Sequence, residues 1–346
     1  MGSTVAGVRG DYYPGMPTRI LTAGQVRALL PMPQCIDLME RTLRTLAVGG
    51  AVLPLRTVMR LPGGRGVFGT MPAWLSEPAA LGVKAIAVFP GNQGTGLDSH
   101  QGLVLLFDPE RGTPLAVLDA SSITAIRTAA VSGAATRALA REGAVDLAIL
   151  GSGVQARTHL DAMRSVRTLG RVRVWSPNRE RAGRFVAWAR ATYAVEAEAA
   201  PDARTAVHGA DLVCTVTASS TPVLEGDWLA PGAHVNAVGA SLPSARELDT
   251  RAVARSRLYV DRRESALSEA GDFLLARSEG ALGDDHVVGE IGEVFAGQVA
   301  GREDERQITL FKSLGLAVED LAAGSYVLRA AEAAGIGTLV DFDGAA

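Results

Sequence analysis

The chain of 346 residues has only two cysteines and almost no net charge. Cys35 and Cys214 stand in apolar or strand-like stretches, so we expect no disulfide framework and a reducing, cytoplasmic location. A formal net charge of -3 excludes the strong positive field that binds nucleic acid or an anionic membrane. The chain also lacks a run of about 18 uncharged apolar residues and a signal-peptide core, so we expect no membrane association.

Histidine is scarce too, and its distribution argues against a metal centre. Zinc sites use histidines at helical spacing or histidines combined with cysteines. Neither arrangement accompanies the five histidines, which are His100, His159, His208, His234 and His286. We therefore predict no metal site. His100 alone is singled out, because it follows Ser99 and is expected to line the cofactor end of a substrate pocket.

The first part of the chain combines helices with short strands. Helices are predicted at 23–30 and 35–47, and a long helix at 119–140 with its N-cap near Ser121 or Ser122. Between them, apolar runs bounded by Gly, Pro, Asn and Asp predict an antiparallel meander with strands at 57–61, 66–71, 81–89, 102–107 and 115–118. We expect Trp74 to pack in the core under this sheet, with a pocket-lining position as the alternative.

From residue 145 the pattern changes to alternating strands and helices, which is typical of a parallel, doubly wound sheet. The predicted strands are 145–150, 171–175, 195–198, 211–216, 233–239 and 257–260. The predicted helices are 156–168, 179–193, 202–207, 226–229 and 246–253, followed by a strongly helical tail at 308–335.

These patterns predict an α/β protein with two domains, because 346 residues exceed one typical core. A Rossmann domain with a doubly wound parallel sheet covers residues 126–319. An α+β domain with an antiparallel sheet covers residues 1–125 and is completed by 320–346, to which the last helix returns. Two chain crossings between domains suit an enzyme with a cleft.

The turn from Gly151 to Ala156 has the form GxGxxA and lies between a predicted strand and a predicted helix. In a dinucleotide-binding fold, Gly151 permits the tight turn, Gly153 lets the backbone approach a pyrophosphate and Ala156 allows close helix packing. The motif alone is weak, but this context strengthens it. We predict a dinucleotide site that includes Gly151 and Gly153.

The end of the second predicted strand bears on the choice of nicotinamide cofactor. NAD-binding folds place a carboxylate there, on the adenosine ribose. Here Trp175 is followed by Ser176, Asn178 and Arg179, without a carboxylate. Hydrogen-bond donors and a guanidinium suit a 2′-phosphate, so NADP(H) is preferred and NAD(H) is the alternative. An exposed arginine without a ligand is the competing interpretation of Arg179.

Six regions, taken in order, resemble the ornithine cyclodeaminase/μ-crystallin family over about residues 50–325. They are Leu81–Lys84 leading to Phe89-Pro90-Gly91-Asn92, Ser99-His100-Gln101-Gly102, Thr124–Ala130, Gly151–Ala156, Val235–Leu248, and Thr309–Gly315. The resemblance implies a substrate-binding and dimerisation domain joined to a Rossmann domain, and a homodimer. It also implies hydride transfer between a nicotinamide and the α-carbon of an amino acid or its imine.

The resemblance also implies site residues by position. Arg56, Lys84 and Arg127 match the substrate-carboxylate positions of the family. The matching cofactor positions are Ser99, Arg127, Thr128, Val154, Gln155, Thr217, Val238 and Ser313.

Physical chemistry supports the three cations. Arg127 lies early in a helix among small apolar residues, where an idle charge is costly. Lys84, in an apolar strand, must reach solvent or serve a site, and partial burial beside arginines would lower its pKa and suit a proton donor. For Arg56, an exposed strand residue is the alternative.

Ser241 stands where ornithine cyclodeaminases of the family carry an aspartate. A serine cannot replace the charge of that carboxylate, and it matches the ketimine reductase members instead. We therefore predict NAD(P)H-dependent reduction of an imine bearing an α-carboxylate, with Lys84 and Ser241 as catalytic residues. The alternatives are an ornithine or lysine cyclodeaminase, an amino-acid dehydrogenase such as alanine dehydrogenase, and a non-catalytic cofactor-binding protein.

Overall fold

The computed structural model describes residues 17–92 and 95–342. Its first part has one strand, two helices, six consecutive strands and a long helix. In chain order they are β1 (Thr18–Leu21), α1 (Ala23–Leu29), α2 (Met32–Ala47), β2 (Ala51–Val52), β3 (Thr57–Arg60), β4 (Val67–Leu75), β5 (Ala80–Val88), β6 (His100–Phe107), β7 (Pro114–Asp119) and α3 (Ala120–Leu139).

The remaining elements follow the predicted strand–helix alternation up to residue 260, whereas the three helices and one strand between residues 263 and 295 were not predicted. In chain order, the remaining elements are β8 (Asp146–Leu150), α4 (Val154–Val166), β9 (Arg171–Trp175), α5 (Arg179–Tyr193), β10 (Ala197–Ala199), α6 (Ala203–Val207), β11 (Leu212–Thr215), β12 (His234–Ala237), α7 (Thr250–Ala254), β13 (Ser256–Val260), α8 (Arg263–Glu269), α9 (Gly271–Ser278), β14 (Val287–Glu290), α10 (Ile291–Phe295), β15 (Ile308–Lys312), α11 (Ala317–Ala334) and β16 (Thr338–Val340).

The first sheet contains the predicted antiparallel meander. Strands β4, β5, β6 and β7 pair in sequence order, all antiparallel. The full order is β16-β1-β7-β6-β5-β4-β2, with β3 also paired to β4. β1 and β7 are parallel, so the sheet is mixed at that end. Helix α11 packs across β4, β5 and β6 and covers the inner face of the sheet.

The second sheet is the predicted Rossmann sheet. All eight strands are parallel, in the order β10-β9-β8-β11-β12-β15-β13-β14. Strand order moves outward in one direction from β8 to β10 and in the other from β11 onward. Ligands of such sheets bind at the carboxyl ends of the strands beside this reversal. The fold is therefore α/β with two sheets, as predicted.

Two helices connect the sheets. α3 contacts β5 and β6 as well as β12 and β15, and α11 follows β15 and returns to the first sheet. The predicted domain boundaries at 125/126 and 319/320 fall inside these helices, so they stay predictions.

The predicted helical tail was wrong in its first part, because residues 308–312 form β15 in the middle of the parallel sheet. A short, fully buried apolar run has the same composition in a buried helix and in a central strand. In the structure the strand ends at Lys312, Gly315 lies in the connection, and α11 begins at Ala317.

Other local predictions also need correction. Asp119 caps α3 by accepting from the Ser122 backbone N–H, so neither Ser121 nor Ser122 is the N-cap. The helix predicted at 246–253 is confined to α7, because residues 246–248 are held in an extended segment by side-chain contacts. Trp74 lies on the outer face of the sheet and is 38% exposed, so it does not pack in the core.

Both cysteines are buried free thiols. Within residues 17–92 and 95–342, none of the helices has the length and apolar character needed to cross a bilayer.

Candidate active site

The glycine-rich turn lies at the carboxyl end of β8, as the motif predicts. Gly151 has φ +125°, and a Cβ there would lie 2.7 Å from the Val216 carbonyl oxygen, so only glycine fits this turn. Its N–H donates to the Trp175 carbonyl at 2.8 Å, which joins the turn to the end of β9. A Cβ on Gly153 would meet open space, and Val154 at the start of α4 is 64% exposed. The turn and the helix N-terminus therefore offer room and N–H donors for a pyrophosphate.

Three predicted cofactor residues follow the ends of adjacent strands. Thr217, Val238 and Ser313 come after β11, β12 and β15. The Val238 N–H donates to Thr215 O and the Ser313 N–H to Ala237 O, both at 3.0 Å, which keeps these chain segments in register. The buried Ser313 hydroxyl has no hydrogen-bond partner among the described residues. An orphaned hydroxyl at this edge fits a bound nicotinamide cofactor.

The end of β9 carries the predicted selectivity residues. Ser176 is buried, and the Asn178 side-chain oxygen caps α5 by accepting from the Arg181 N–H at 2.9 Å. This cap uses the Asn178 oxygen as an acceptor. Arg179 is exposed at the start of α5.

Lys84 and Arg127 meet at one carboxylate. Lys84 Nζ lies 2.7 Å from Asp320 Oδ2, and Arg127 Nε lies 2.9 Å from Asp320 Oδ1. Arg127 Nη1 also contacts Glu319 Oε2 at 2.5 Å. All four side chains are almost completely buried. Lys84 additionally donates to Thr124 Oγ1 at 3.3 Å, which ties β5 to α3.

Arg56 reaches the same place from the loop before β3. Its Nε lies 3.1 Å from Glu269 Oε2, and its Nη2 donates to the carbonyls of Leu314 and Gly315, both at 2.9 Å. A Cβ on Gly315 would lie 2.5 Å from Arg127 Nη1. The structure thus brings Arg56, Lys84 and Arg127 together around Gly315 and the start of α11, and Arg56 is not a simple exposed strand residue.

Asp261 fixes the loop between the cations. Its Oδ2 accepts from the N–H groups of Leu314 and Gly315 at 2.5 and 2.7 Å. Burial raises the pKa of this carboxyl, and these backbone donors act in the opposite direction. The loop that presents its carbonyls to Arg56 is therefore held from behind by Asp261.

Burial and neighbouring charges shift the titration of the cluster. Burial lowers the pKa of Lys84 to about 8, although the adjacent Asp320 opposes the shift. Burial raises the pKa of Glu319 to about 7, against the attraction of Arg127. Burial also acts to raise the pKa of Asp320, but Arg127 and Lys84 outweigh it and the pKa is lowered. Of Glu319 and Asp320, Glu319 is thus the carboxylate that takes up a proton more readily near neutral pH.

The other predicted residues lie on several different elements, and no hydrogen bond or ion pair within the described part of the chain links them to the side chains of Lys84, Arg127 or Arg56. Ser99 Oγ lies 3.0 Å from His100 Nδ1, and the His100 carbonyl accepts from Ser121 Oγ at the start of α3. Thr128 is buried beside Arg127. Gln155 is half-buried in the first turn of α4. Ser241 is exposed in the segment between β12 and α7.

The carboxylates that partner the cations were not predicted from the sequence. Asp261, Glu269, Glu319 and Asp320 were not singled out. A signal existed for two of them, because Glu319 and Asp320 are adjacent acidic residues in a largely apolar part of the helix predicted at 308–335. Within the described ranges, no group of three or more His, Cys, Asp or Glu side chains is placed to hold a metal ion.

Comparisons of the sequence and of the structure with known proteins point to the same family. The model of the ornithine cyclodeaminase/mu-crystallin family matches residues 16–335. The chain is 43% identical over 279 residues to the mouse (Mus musculus) ketimine reductase mu-crystallin, which covers 81% of this chain and 85% of that protein.

Two solved structures share the whole fold. Thermococcus litoralis Δ1-pyrroline-2-carboxylate reductase, in complex with NADH and L-proline, is 37% identical with a TM-score of 0.91, over 93% of this chain and 99% of the other. An archaeal alanine dehydrogenase dimer with bound NAD is 34% identical with a TM-score of 0.89, over 94% and 100%. The chain therefore belongs to the ornithine cyclodeaminase/mu-crystallin family.

Proposed function

We propose that this protein is an NAD(P)H-dependent reductase of imines that carry an α-carboxylate, giving an amino acid or a cyclic imino acid. The observation that carries the proposal is the convergence of Arg56, Lys84 and Arg127 around Gly315. The mouse and Thermococcus relatives, a ketimine reductase and a pyrroline-2-carboxylate reductase, support the same reaction class.

The substrate carboxylate binds to Arg56 and Arg127 in this proposal, since paired guanidinium groups hold a carboxylate in a fixed orientation. Each arginine already has a protein carboxylate as partner, so the substrate competes with Glu269 for Arg56 and with Glu319 for Arg127. Arg56 is the more accessible cation and makes the first contact. Because the pKa of Glu319 is raised to about 7, protonation of Glu319 frees Nη1 of Arg127 for the substrate, while Nε stays paired with Asp320.

Lys84 supplies the proton. With a pKa of about 8 it is mostly protonated at neutral pH, yet it gives up its proton more readily than an exposed lysine. When bound, the nicotinamide cofactor supplies the hydride that forms the new C–H bond while the C=N double bond becomes single. Lys84 then protonates the nitrogen, directly or through one water, and Ser241 orients the imine.

We assign the cofactor to the carboxyl edge of the parallel sheet. Gly151, Gly153, Val154 and Gln155 would hold the pyrophosphate, and the nicotinamide half would lie near Thr217, Val238 and Ser313, with Ser99, Arg127 and Thr128 facing it. Ser176, Asn178 and Arg179 would bind the adenosine ribose and its 2′-phosphate. We therefore propose that NADP(H) is preferred over NAD(H).

One alternative has a specific observation behind it. The archaeal alanine dehydrogenase shares the fold and 34% identity, and oxidative deamination would use the same residues in reverse.

Purified protein should be mixed with NADPH or NADH and with pyrroline-2-carboxylate or piperideine-2-carboxylate, following the nicotinamide absorbance band. Consumption of NADPH supports the proposal. Reduction of NAD(P)⁺ by alanine alone would favour the dehydrogenase, and ammonia release from ornithine with NAD⁺ would favour the cyclodeaminase.

We further propose that the protein is a homodimer in the cytoplasm. The second copy would cover the outer face of the first sheet. Phe68, Trp74 and Leu103 are exposed there, beside half-buried Val83 and Leu105. Exposed apolar side chains grouped on one sheet face are typical of an interface. The related archaeal alanine dehydrogenase is a dimer, which supports a second copy of this chain as the occupant.

A further inference from the structure

Glu247 is a completely buried carboxylate with four hydrogen-bond donors around it. Its Oε1 accepts from the backbone N–H and the hydroxyl of Thr217, at 2.6 and 2.7 Å. Its Oε2 accepts from the Thr215 hydroxyl at 2.8 Å and from the Gly239 N–H at 2.7 Å. Each oxygen therefore accepts at least one backbone N–H. Burial raises the pKa of this carboxyl, and so does the nearby Asp272, while Lys312 and the hydrogen bonds from Thr217 act in the opposite direction.

The four donors come from two neighbouring strand ends. Thr215 ends β11 and Thr217 follows it, while Gly239 comes two residues after β12. Gly239 packs closely against both residues, because a Cβ on it would lie 2.6 Å from the Glu247 carboxyl carbon and 2.1 Å from the Thr217 carbonyl oxygen. One side chain thus fixes the spacing of the two loops that leave β11 and β12.

The buried ion pair of Asp272 and Lys312 holds the backbone of Glu247 in place. Asp272 Oδ1 accepts from the N–H groups of Glu247 and Leu248, at 2.7 and 3.0 Å. Asp272 Oδ2 lies 2.9 Å from Lys312 Nζ, and Lys312 is the last residue of β15. The charges of Glu247, Asp272 and Lys312 therefore connect the ends of three adjacent strands beneath the carboxyl edge.

Lysine is rare in this chain. Only Lys84 and Lys312 are lysines among its 34 Lys and Arg residues, and both are buried in ion pairs with aspartates. All the other residues in that count are arginines, so these two compact ammonium groups are exceptions. In the sequence, Lys312 of the Glu247 cluster comes before Gly315, and Asp320 of the Lys84 cluster comes after it.

We propose that Glu247 is a positioning residue for the nicotinamide half of the cofactor. It acts through Thr217 and through the Val238–Gly239 segment, and it touches no substrate itself. The inference rests on the proposed function, since it needs the cofactor at this edge. In a doubly wound sheet the adenosine half lies over the β8–β9 side, so the loops after β11 and β12 face the nicotinamide half.

Glu247→Gln is the sharpest variant, because it keeps the volume of the side chain but places an NH₂ group among N–H and O–H donors. One backbone donor then loses its acceptor, and the loops after β11 and β12 separate. Asp211→Asn is the matched control. Asp211 likewise accepts from two backbone N–H groups, those of Val145 and Asp146, but at the opposite, amino-terminal edge of the same sheet.

The readouts are the Kd of NADPH from its fluorescence, the KM values of NADPH and of piperideine-2-carboxylate, and the Tm. We expect Glu247→Gln to raise the Kd and KM of NADPH about ten-fold or more, while the imine KM at saturating NADPH stays within about two-fold. Asp211→Asn should lower the Tm but leave both NADPH constants unchanged. If Glu247→Gln does not fold, Thr215→Val removes one donor isosterically and should weaken NADPH binding by about two- to five-fold.

Two outcomes distinguish a failure of the proposed function from a failure of the proposed role of Glu247. If the wild-type protein binds no nicotinamide cofactor, both the proposed function and the role of Glu247 are overturned. If the wild type binds NADPH but Glu247→Gln or Thr215→Val binds it as well as Asp211→Asn does, only the role of Glu247 is overturned.

Discussion

Lys84 and Asp320 form a buried ion pair in which Nζ lies 2.7 Å from Oδ2. Lys84 lies in the middle of β5 and Asp320 in the first turn of α11, so the pair fastens the returning helix to the first sheet. The other oxygen of Asp320 contacts Arg127, so one carboxylate controls two of the three clustered cations.

Replacing Asp320 by Asn should move the pH dependence of reduction. Asp320 raises the pKa of Lys84 against the effect of burial, so without its charge the pKa of Lys84 falls further below about 8. The alkaline limb of kcat/KM should shift to lower pH, and unfolding should become easier by about 3–5 kcal/mol. Asp320→Glu, which keeps the charge, is the control, and an unshifted limb in Asp320→Asn would contradict this role.

Lys84→Arg should abolish turnover while keeping the positive charge. Arginine stays protonated at every working pH, so it pairs with Asp320 but delivers no proton. We expect kcat to fall by about 100-fold or more, since general acid catalysis contributes at least that much. In the wild type, kcat/KM should decline as pH rises through about 8, where Lys84 loses its proton. Thr124→Val removes only the 3.3 Å hydrogen bond to Lys84 and should cost far less.

Glu319 should make imine binding weaker at high pH. Its pKa is raised to about 7, so above that pH it is ionised and competes with the substrate for Arg127. The KM of the imine should rise as pH increases through about 7, and Glu319→Gln should remove that rise. The raised pKa also means that the contribution of Glu319 to folding stability is present at low pH and is lost between about 4.5 and 7. A pH-independent KM in the wild type would contradict the competition.

Arg179→Ala should change cofactor preference rather than turnover. Loss of a guanidinium opposite a 2′-phosphate should raise the KM of NADPH about ten-fold and leave the KM of NADH nearly unchanged. Arg181→Ala, two residues further along α5, serves as the control. Equal KM changes for both cofactors would remove the proposed selectivity of Arg179.

Trp74→Lys should convert a dimer into a monomer. A charge placed on the apolar outer face of the first sheet cannot be buried against a second copy without a large penalty. Light scattering coupled to size-exclusion chromatography should show the mass of one chain instead of two. Val145→Lys, an exposed apolar position beside the other sheet, should leave the mass unchanged. A wild type that is itself monomeric would exclude the proposed interface.

The sequence predicted what depends on local pattern. The glycine turn and the parallel strands follow from composition and period, and the positions of Lys84 and Arg127 in apolar stretches already indicated special roles. Their partners were missed because Arg127 and Asp320 are 193 residues apart, and no local pattern connects them. β15 was mistaken for helix because a five-residue buried strand is too short to show a period that separates the two states.

The segment from β15 into α11 connects the two proposed ligand sites within about a dozen residues. Lys312 and Ser313 lie at the proposed cofactor edge, the Gly315 carbonyl holds Arg56, and Asp320 holds Lys84 and Arg127. We therefore expect substitutions within this segment, unlike Glu247→Gln, to affect cofactor affinity and imine affinity together. Both dissociation constants should change, and a thermodynamic cycle over the two ligands would measure their coupling.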